Sequence, residues 1–332
     1  MQDPILFPHL EQFLNYFQAI RERSPLTIRE YRYDLVLFFR FLLQHRKEVP
    51  PETPFEEIDI SQIDEAYLQS IRLTDFYAFM TWLSRERGCG PSARARKTAS
   101  LKAFFSYLKN KAFVIEENPA LELESPKQLK QLPKHLSLEE SQQLLETAAD
   151  PESPYSSRDV CILTFFLNCG LRLSELCSIN LSDIREDTLT VMGKGGKERT
   201  IYLNGACIDA LNDWLEDRPK SGLLDPDALF ISKQRRRISP KTVQYLIKKY
   251  IISAGLDPKR YSVHKLRHTA ATLMYKYGKV DIRALQQILG HASIATTEIY
   301  THVDDEALHQ AVESNPLNQI RPGRKRSSKS GV

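Results

Sequence analysis

Residues 188–203 read TLTVMGKGGKERTIYL, and here the hydrophobic residues alternate instead of following a helical repeat. Leu189 and Val191 alternate before a glycine-rich turn, and Ile201 and Leu203 alternate after it. Two alternating segments joined by such a turn predict a β-hairpin. Helical spacing on both sides of the hairpin predicts a mainly α-helical protein with a small antiparallel β-sheet.

The first ~110 residues predict a small helical bundle. Apolar residues recur at the spacing of amphipathic helices, in segments near residues 10–20, 31–42, 76–83 and 101–108. Thr27 is predicted to cap the second of these helices. No convincing strand pattern occurs in this region, so we expect a helical domain.

Prolines and polar residues separate this region from a second domain. Pro119, Pro126 and Pro133 interrupt the periodicity and indicate a linker. Ser137, with Glu140 three residues later, is a capping-box signature and predicts the first helix of the second domain. The predicted boundaries are 1–118 for the first helical domain, 119–136 for the linker, 137–320 for the second domain and 321–332 for a basic, disordered tail.

The composition is that of an ordinary globular protein. The chain has 332 residues, of which 42% are hydrophobic and 27% charged, and a net charge of +4. This length favours two domains, and no apolar stretch approaches the ~18 residues that cross a bilayer. Five cysteines without a CxxC pair suit reduced thiols. With no secretory signal at the amino terminus, we expect a cytoplasmic protein without a membrane partner.

The small net charge conceals two basic clusters. One lies within residues 85–111 and the other within residues 233–249, while acidic residues concentrate elsewhere. Lysine and arginine that neutralise phosphates provide most sequence-independent affinity for DNA, although such runs are also common on solvated helix faces. The candidate DNA contacts are Arg94, Arg96, Lys97, Arg235, Arg236, Arg237 and Lys241.

Two familiar kinds of site are excluded by spacing. The Gly193–Lys197 turn lacks the GxxxxGK[ST] spacing of an ATP-binding loop and joins two strands. His264 and His268 have the spacing of a zinc-binding helix, but Lys265 occupies the position of the required glutamate. The sequence therefore predicts neither a metal site nor a cofactor.

The remaining polar residues form a cationic set suited to phosphodiester chemistry. Arginine and histidine can stabilise the charge that develops on the phosphate, tyrosine can attack it, and lysine can protonate the leaving oxygen. Taken singly, each such residue is more often structural. The candidate residues are Arg172, Lys194, His264, Arg267, His291 and Tyr300.

Four stretches carry a resemblance to a known family. In chain order they are CGLRLSEL (169–176), VMGKGGKERTIYL (191–203), SVHKLRHTAATLM (262–274) and LQQILGHASIATTEIYTHV (285–303). Together they resemble the tyrosine recombinases of the phage integrase superfamily, and most of all the bacterial Xer branch.

The resemblance implies a role for each residue of the set. Tyr300 would be the nucleophile that forms a 3′-phosphotyrosyl link, and Arg172 and Arg267 would hold the scissile phosphate. His264 and His291 would assist the transition state, and Lys194 would protonate the 5′-oxygen. The remaining position is Glu175, which would support a cationic neighbour.

The resemblance also implies an architecture and partners. A helical core-binding domain and a catalytic domain would form a C-shaped clamp on double-stranded DNA that carries an inverted repeat. Four protomers, identical or of two kinds, would act on two sites through a Holliday junction. A second Xer recombinase and a septal DNA translocase are expected partners, with chromosome-dimer resolution as the expected role.

Three alternatives remain open from the sequence. Compact recombinases are also encoded by mobile elements, where they act as integrases or resolvases. A non-catalytic DNA-binding relative would show decay of the catalytic set, whereas all seven positions are filled. A type IB topoisomerase-like activity would share the phosphotyrosine chemistry and would relax plasmids without partner sites.

Overall fold

The computed structural model describes residues 4–126, 134–193, 198–290 and 293–297. The chain divides into two compact units, Met1–Lys130 and Gln131–Val332. Each unit buries its own hydrophobic core. The described residues are mostly helical, with a small antiparallel sheet, so the predicted fold class is confirmed.

The first unit is a helical bundle around a phenylalanine-rich core. Its described α-helices are α1 (Pro8–Ala19), α2 (Pro25–His45), α3 (Glu65–Ser70), α4 (Leu73–Arg85) and α5 (Pro91–Asn110). Phe7 packs edge-on against Phe39, with ring centroids 4.8 Å apart, and Phe13 packs edge-on against Phe104 at 5.2 Å. Such aromatic pairs stabilise the core beyond the area that they bury.

The start of α2 differs from the prediction. Ser24, not Thr27, is the N-cap residue, and its Oγ accepts a hydrogen bond from the backbone N–H of Thr27. Pro25 occupies the first turn, where its fixed φ is compatible with a helix and its missing N–H costs nothing. The Ser-Pro pair therefore begins the helix, and Thr27 lies within the first turn.

A buried carboxylate joins α2 to α5. Asp34 on α2 is fully buried, and its Oδ1 lies 2.7 Å from Nζ of Lys97. Its Oδ2 accepts hydrogen bonds from Nη1 of Arg96 at 2.6 Å and from Oγ of Ser100 at 2.8 Å. Because the buried charges of Asp34 and Lys97 are paired, this cluster fixes the two helices relative to each other.

The second unit combines helices with a small sheet. Its described elements are α6 (Leu138–Ala148), α7 (Ser156–Cys169), α8 (Leu173–Ser178), β1 (Ile184–Arg185), β2 (Thr188–Met192), β3 (Glu198–Tyr202), α9 (Gly205–Asp217), α10 (Pro240–Ser253), α11 (Val263–Lys276) and α12 (Ile282–Leu289). The predicted capping box is confirmed, because Ser137 and Glu140 exchange hydrogen bonds at the start of α6.

The predicted hairpin forms the larger part of the sheet. Strands β2 and β3 pair antiparallel, with Leu189 opposite Ile201 and Val191 opposite Arg199. The alternating residues Leu189, Val191 and Ile201 are buried in the core, as their spacing predicts. Strand β1 pairs with the edge of β2 that faces away from β3. It was not predicted, because a strand of two residues is too short to show an alternating pattern.

No described helix is both long and apolar enough to span a lipid bilayer.

Candidate active site

Arg172 is placed by a sharp turn between α7 and α8. Helix α7 ends at Cys169, and its C-cap residue Gly170 adopts the left-handed conformation with φ +59°, which is typical of a glycine that terminates a helix. A Cβ at this position would lie 2.8 Å from Cδ2 of Leu289, so the close packing also favours glycine. Leu171 is buried beyond the turn, and Arg172 becomes the N-cap residue of α8.

Glu175 holds Arg172 in two ways. Its Oε2 accepts a hydrogen bond of 2.7 Å from the backbone N–H of Arg172, which caps α8. Its Oε1 accepts a second bond, of 2.6 Å, from Nη1 of the Arg172 side chain. The Glu175 side chain is 2% exposed and that of Arg172 30%, so the carboxylate is buried behind a partly accessible guanidinium.

Arg267 joins the same cluster from α11. Its Nη1 donates a hydrogen bond of 2.6 Å to the carbonyl of Gly170, although these residues are 97 positions apart in the sequence. Its Nη2 donates to the carbonyl of Leu289 at 2.5 Å, and Nη1 lies 3.8 Å from Oε2 of Glu175. The structure thus brings together the two arginines that the sequence predicts to bind one phosphate.

A third guanidinium, from Arg199 on β3, was missed by the sequence analysis. Its Nη1 and Nη2 donate to Oε1 and Oε2 of Glu175 at 2.6 Å and 3.0 Å. Its Nε donates to the carbonyl of Ile288 at 3.1 Å. The available signal was the position of Arg199 in the hairpin, opposite the buried Val191. The alternation of residues along a strand, however, does not reveal a hydrogen-bond partner on another element.

The three guanidiniums also bind the last carbonyls of α12. Arg199 binds the carbonyl of Ile288, Arg267 that of Leu289, and Arg172 that of Gly290, the last at 2.7 Å. These carbonyls lie at the helix terminus, where the helix dipole favours positive charge. The end of α12 is therefore fixed by the same arginines that surround Glu175.

The Glu175 carboxyl remains ionised despite its burial. Burial alone would raise its pKa, but the hydrogen bonds from Arg199 and Arg172 and the positive charge of Arg199 lower the pKa below its usual value. One negative charge thus stands among three positive ones. The excess of positive charge suits an anionic ligand such as a phosphate.

His264 lies one turn before Arg267 on α11, as the spacing predicts. Partial removal from water lowers the pKa of its imidazole, and the charges of Arg267, Lys265 and Arg172 lower it further. The ring is therefore neutral at pH 7 and can accept a proton. The His268 ring lies edge-on, with its centroid 4.7 Å away.

An open cleft of about 630 Å³ runs past these side chains. Arg172, His264 and Arg267 line it, together with Lys248 from α10 and Tyr261 before α11. Glu175 and Arg199, whose side chains are largely buried, do not line it. Within the described residues, no three His, Cys, Asp or Glu side chains are grouped to hold a metal ion.

Comparison with known protein families shows to which family this chain belongs. The sequence profile of the phage integrase family matches residues 134–307, which is more than half of the chain. The profile of the phage integrase N-terminal SAM-like domain matches residues 10–50. The chain belongs to the phage integrase family. Its relatives are tyrosine recombinases, and it is an enzyme of this class.

Relatives match along almost the whole chain. The tyrosine recombinase XerC of Caldanaerobacter subterraneus subsp. tengcongensis is 57% identical over 94% of this chain and 88% of its own. That of Alcanivorax borkumensis is 34% identical over 93% and 94% of the two chains. Among solved structures, the XerH site-specific recombinase bound to a palindromic difH substrate, in a post-cleavage complex, matches with a TM-score of 0.66. The match covers 92% of this chain and 84% of the XerH chain at 22% sequence identity, which establishes a shared fold.

Three residues of the predicted phage integrase set lie outside the described residues. They are Lys194, His291 and Tyr300. The structure describes the chain up to Gly193 and again from Glu198, and it describes Gly290 immediately before His291. The predicted basic tail, residues 321–332, lies outside the described residues as well.

The predicted DNA contacts of this recombinase fall into two groups. Arg235 and Arg236 are exposed on the loop before α10, and Lys241 is exposed in its first turn. Arg237, in contrast, donates hydrogen bonds to the carbonyls of Cys177 and Ile179 and to Asn180. Its guanidinium therefore stabilises the second unit through these internal hydrogen bonds.

The first-unit candidates differ in the same way. The Lys97 side chain is 4% exposed and is paired with Asp34, so it stabilises the bundle. Arg96 is 40% exposed and pairs with Glu30 as well as Asp34. Arg94 is half-buried on the same helix. Of these three, Arg96 is the most accessible to a ligand.

Cys169, adjacent to the turn that carries Arg172, is a buried thiol. Its Sγ lies 3.7 Å from Sγ of Cys207 on α9. The hydrogen bond with Cys207 and the burial raise the pKa of Cys169 above its usual value. A protonated buried thiol behaves as a small apolar side chain, so Cys169 packs in the core.

Proposed function

We propose that this tyrosine recombinase is a Xer-type site-specific recombinase that cuts and rejoins double-stranded DNA through a 3′-phosphotyrosyl intermediate. The observation that carries the proposal is the cluster in which Glu175 joins Arg172 and Arg267 beside His264, in one cleft. The cluster supplies two guanidiniums and a neutral imidazole to the same small region. Phosphoryl transfer requires such positioned donors.

The chemical step exchanges one phosphoester for another. The Tyr300 hydroxyl oxygen attacks the scissile phosphorus, the Oη–P bond forms, and the bond from phosphorus to the 5′-oxygen breaks. The tyrosine proton passes to a base, and the 5′-oxygen takes a proton from Lys194. The phosphotyrosine retains the ester linkage, and attack by a 5′-hydroxyl from the other strand rejoins the DNA.

The other residues of the set have the remaining roles in the reaction. Arg172 and Arg267 bind the non-bridging oxygens, where negative charge develops during in-line displacement. His264 accepts the tyrosine proton, because its lowered pKa keeps the imidazole neutral at pH 7. His291 provides a further hydrogen bond to the phosphate.

The solved structures of relatives support a DNA partner and a multimeric assembly. The XerH structure is that of a recombinase bound to a palindromic substrate, and a λ integrase structure is that of a tetramer bound to a Holliday junction. We infer the same classes of partner here: an inverted-repeat duplex and four protomers on two sites. Pairing with a second Xer recombinase, activation by a septal DNA translocase and action in the cytoplasm complete the proposal.

The biological role we propose is resolution of chromosome dimers at cell division. Its support is the match to XerC-named relatives across more than nine-tenths of the chain. Recovery of the target sites separates this role from action on a mobile element. A single inverted repeat near the replication terminus supports dimer resolution, and sites at the ends of an inserted element contradict it.

Covalent capture tests the chemistry. Purified protein is incubated with a library of nicked suicide duplexes that covers the inverted repeats of the host chromosome, and adducts that survive detergent are isolated. We expect adducts with the intact protein and none with Tyr300→Phe, which retains the ring but lacks the nucleophile. Absence of adducts on every duplex, or adducts that persist in Tyr300→Phe, would overturn the proposal.

A further inference from the structure

We propose that Arg199 is a positioning residue of the active site, which keeps Glu175 from neutralising Arg172 and fixes the end of α12. The inference rests on the proposed function, because it concerns the rate of DNA cleavage. Arg199 does not line the cleft that the described residues form, and its three guanidinium nitrogens bind Glu175 and the carbonyl of Ile288, so it acts through these neighbours.

The geometry commits Arg199 to two partners. Two of its nitrogens bind the two oxygens of Glu175, and the third binds the carbonyl of Ile288. The side chain is 12% exposed, so both contacts are largely shielded from water. A bidentate guanidinium–carboxylate pair in such surroundings is rigid, and a lysine cannot reproduce its fork.

The side chain of Arg199 lies close to the backbone at the end of α12. Gly290 has φ +62°, and a Cβ there would lie 2.9 Å from Cδ and 3.2 Å from Nε of Arg199. The absence of a side chain at Gly290 thus lets the Arg199 stem pass directly beneath the end of α12. Arg172 binds the carbonyl of this same glycine.

The charges explain why a third arginine is needed. Glu175 caps the N-terminus of α8, since its Oε2 accepts a hydrogen bond from the backbone N–H of Arg172. An ionised carboxylate with Arg172 as its main cationic partner would hold that guanidinium tightly and cancel its charge. Arg199 binds both carboxylate oxygens and shares Oε1 with Arg172, so the negative charge of Glu175 is divided between two guanidiniums and Arg172 keeps net charge for the phosphate.

The test separates cleavage from binding. Two variants, Arg199→Ala and Arg199→Lys, are compared with the wild-type protein on a nicked suicide duplex that the wild-type protein captures. The control is Arg185→Ala, which removes an exposed arginine from β1. Single-turnover adduct formation at saturating DNA gives the rate, anisotropy gives the DNA affinity, and thermal unfolding reports folding.

We expect cleavage to slow by about 100-fold in Arg199→Ala, because small displacements of reacting groups cost this much. DNA affinity should stay within about twofold, since phosphate contacts at the surface supply most of it. Arg199→Lys should also be slow, and methylguanidinium should accelerate Arg199→Ala but not Arg199→Lys. The control should match wild type.

Two results would overturn the inference while leaving the proposed function intact. One is wild-type cleavage rates in both Arg199 variants. The other is an equal loss of rate, affinity and thermal stability, without rescue by methylguanidinium, which would make Arg199 a purely structural residue. Failure of wild-type protein to form any Tyr300 adduct would instead contradict the proposed function.

Discussion

Nη2 of Arg172 lies 2.7 Å from the carbonyl oxygen of Gly290, 118 positions later in the chain. The same guanidinium is held on its other side by Glu175. A side chain fixed from two directions loses little further freedom when it binds a phosphate, so the binding energy is available for the chemical step.

Gly290→Ala should slow DNA cleavage. The substitution forces a left-handed alanine, at a cost of about 1–2 kcal/mol, and pushes its Cβ against Arg199. Gly255→Ala is the matched control, because Gly255 is also left-handed, with φ +71°, but has open space around it. Single-turnover adduct formation should fall in Gly290→Ala and remain unchanged in Gly255→Ala. Equal rates in the two variants would contradict the crowding argument.

The pH dependence of cleavage should reflect His264. Its pKa is lowered below 6.5, chiefly by partial removal from water and then by the charges of Arg267, Lys265 and Arg172. A proton acceptor must be neutral, so the rate should be flat at neutral pH and fall as the pH drops through this lowered pKa. Rates measured from pH 5 to 8 check the prediction.

Lys265→Gln tests the electrostatic cause. Removal of one positive charge favours the protonated imidazole, so the acidic limb should move to higher pH. His264→Gln should lack this limb and be slow throughout. An acidic limb that persists unchanged in His264→Gln would assign it to another group.

Asp34→Ala should destabilise the first unit by about 3–5 kcal/mol, because it leaves the buried Lys97 ammonium without its counter-charge. Glu30→Ala is the control, since its pair with Arg96 is exposed and such pairs contribute about 0–1 kcal/mol. Urea unfolding followed by Trp82 fluorescence, in a Trp214→Phe background, isolates this unit. Similar midpoints for the two variants would show that the buried pair contributes little.

Arg235→Ala combined with Arg236→Ala should flatten the salt dependence of DNA binding without affecting folding. Each lost phosphate contact reduces the slope of log K against log salt by about 0.9. Arg237→Ala should instead lower the melting temperature, because three hydrogen bonds within the second unit are lost. An unchanged slope in the double variant would show that Arg235 and Arg236 do not contact DNA phosphates and are only solvated surface residues.

The sequence predicted local features well. The Ser137–Glu140 capping box and the hairpin could be identified because each depends on neighbouring residues. His264 and Arg267 were placed in one candidate set, and both line one cleft. The classification followed from four motifs whose order and spacing were legible along the chain.

Long-range pairing could not be predicted. Lys97 was assigned to a DNA-binding cluster, yet its partner Asp34 is 63 positions away and buries it. Arg199 escaped notice because its partners lie on α8 and α12. Helix α3, of six residues, is too short to show a hydrophobic period. In each case the determining contact is tertiary.

The shared carboxylate has a consequence for protein synthesis. A ribosome that has completed α8 has already made Glu175 and Arg172, but Arg267 and α12 emerge much later. Until then the cluster lacks Arg267, and before β3 is made it lacks Arg199 as well, together with the helix end that all three guanidiniums bind. The cluster can therefore assemble only after α12 has been synthesised.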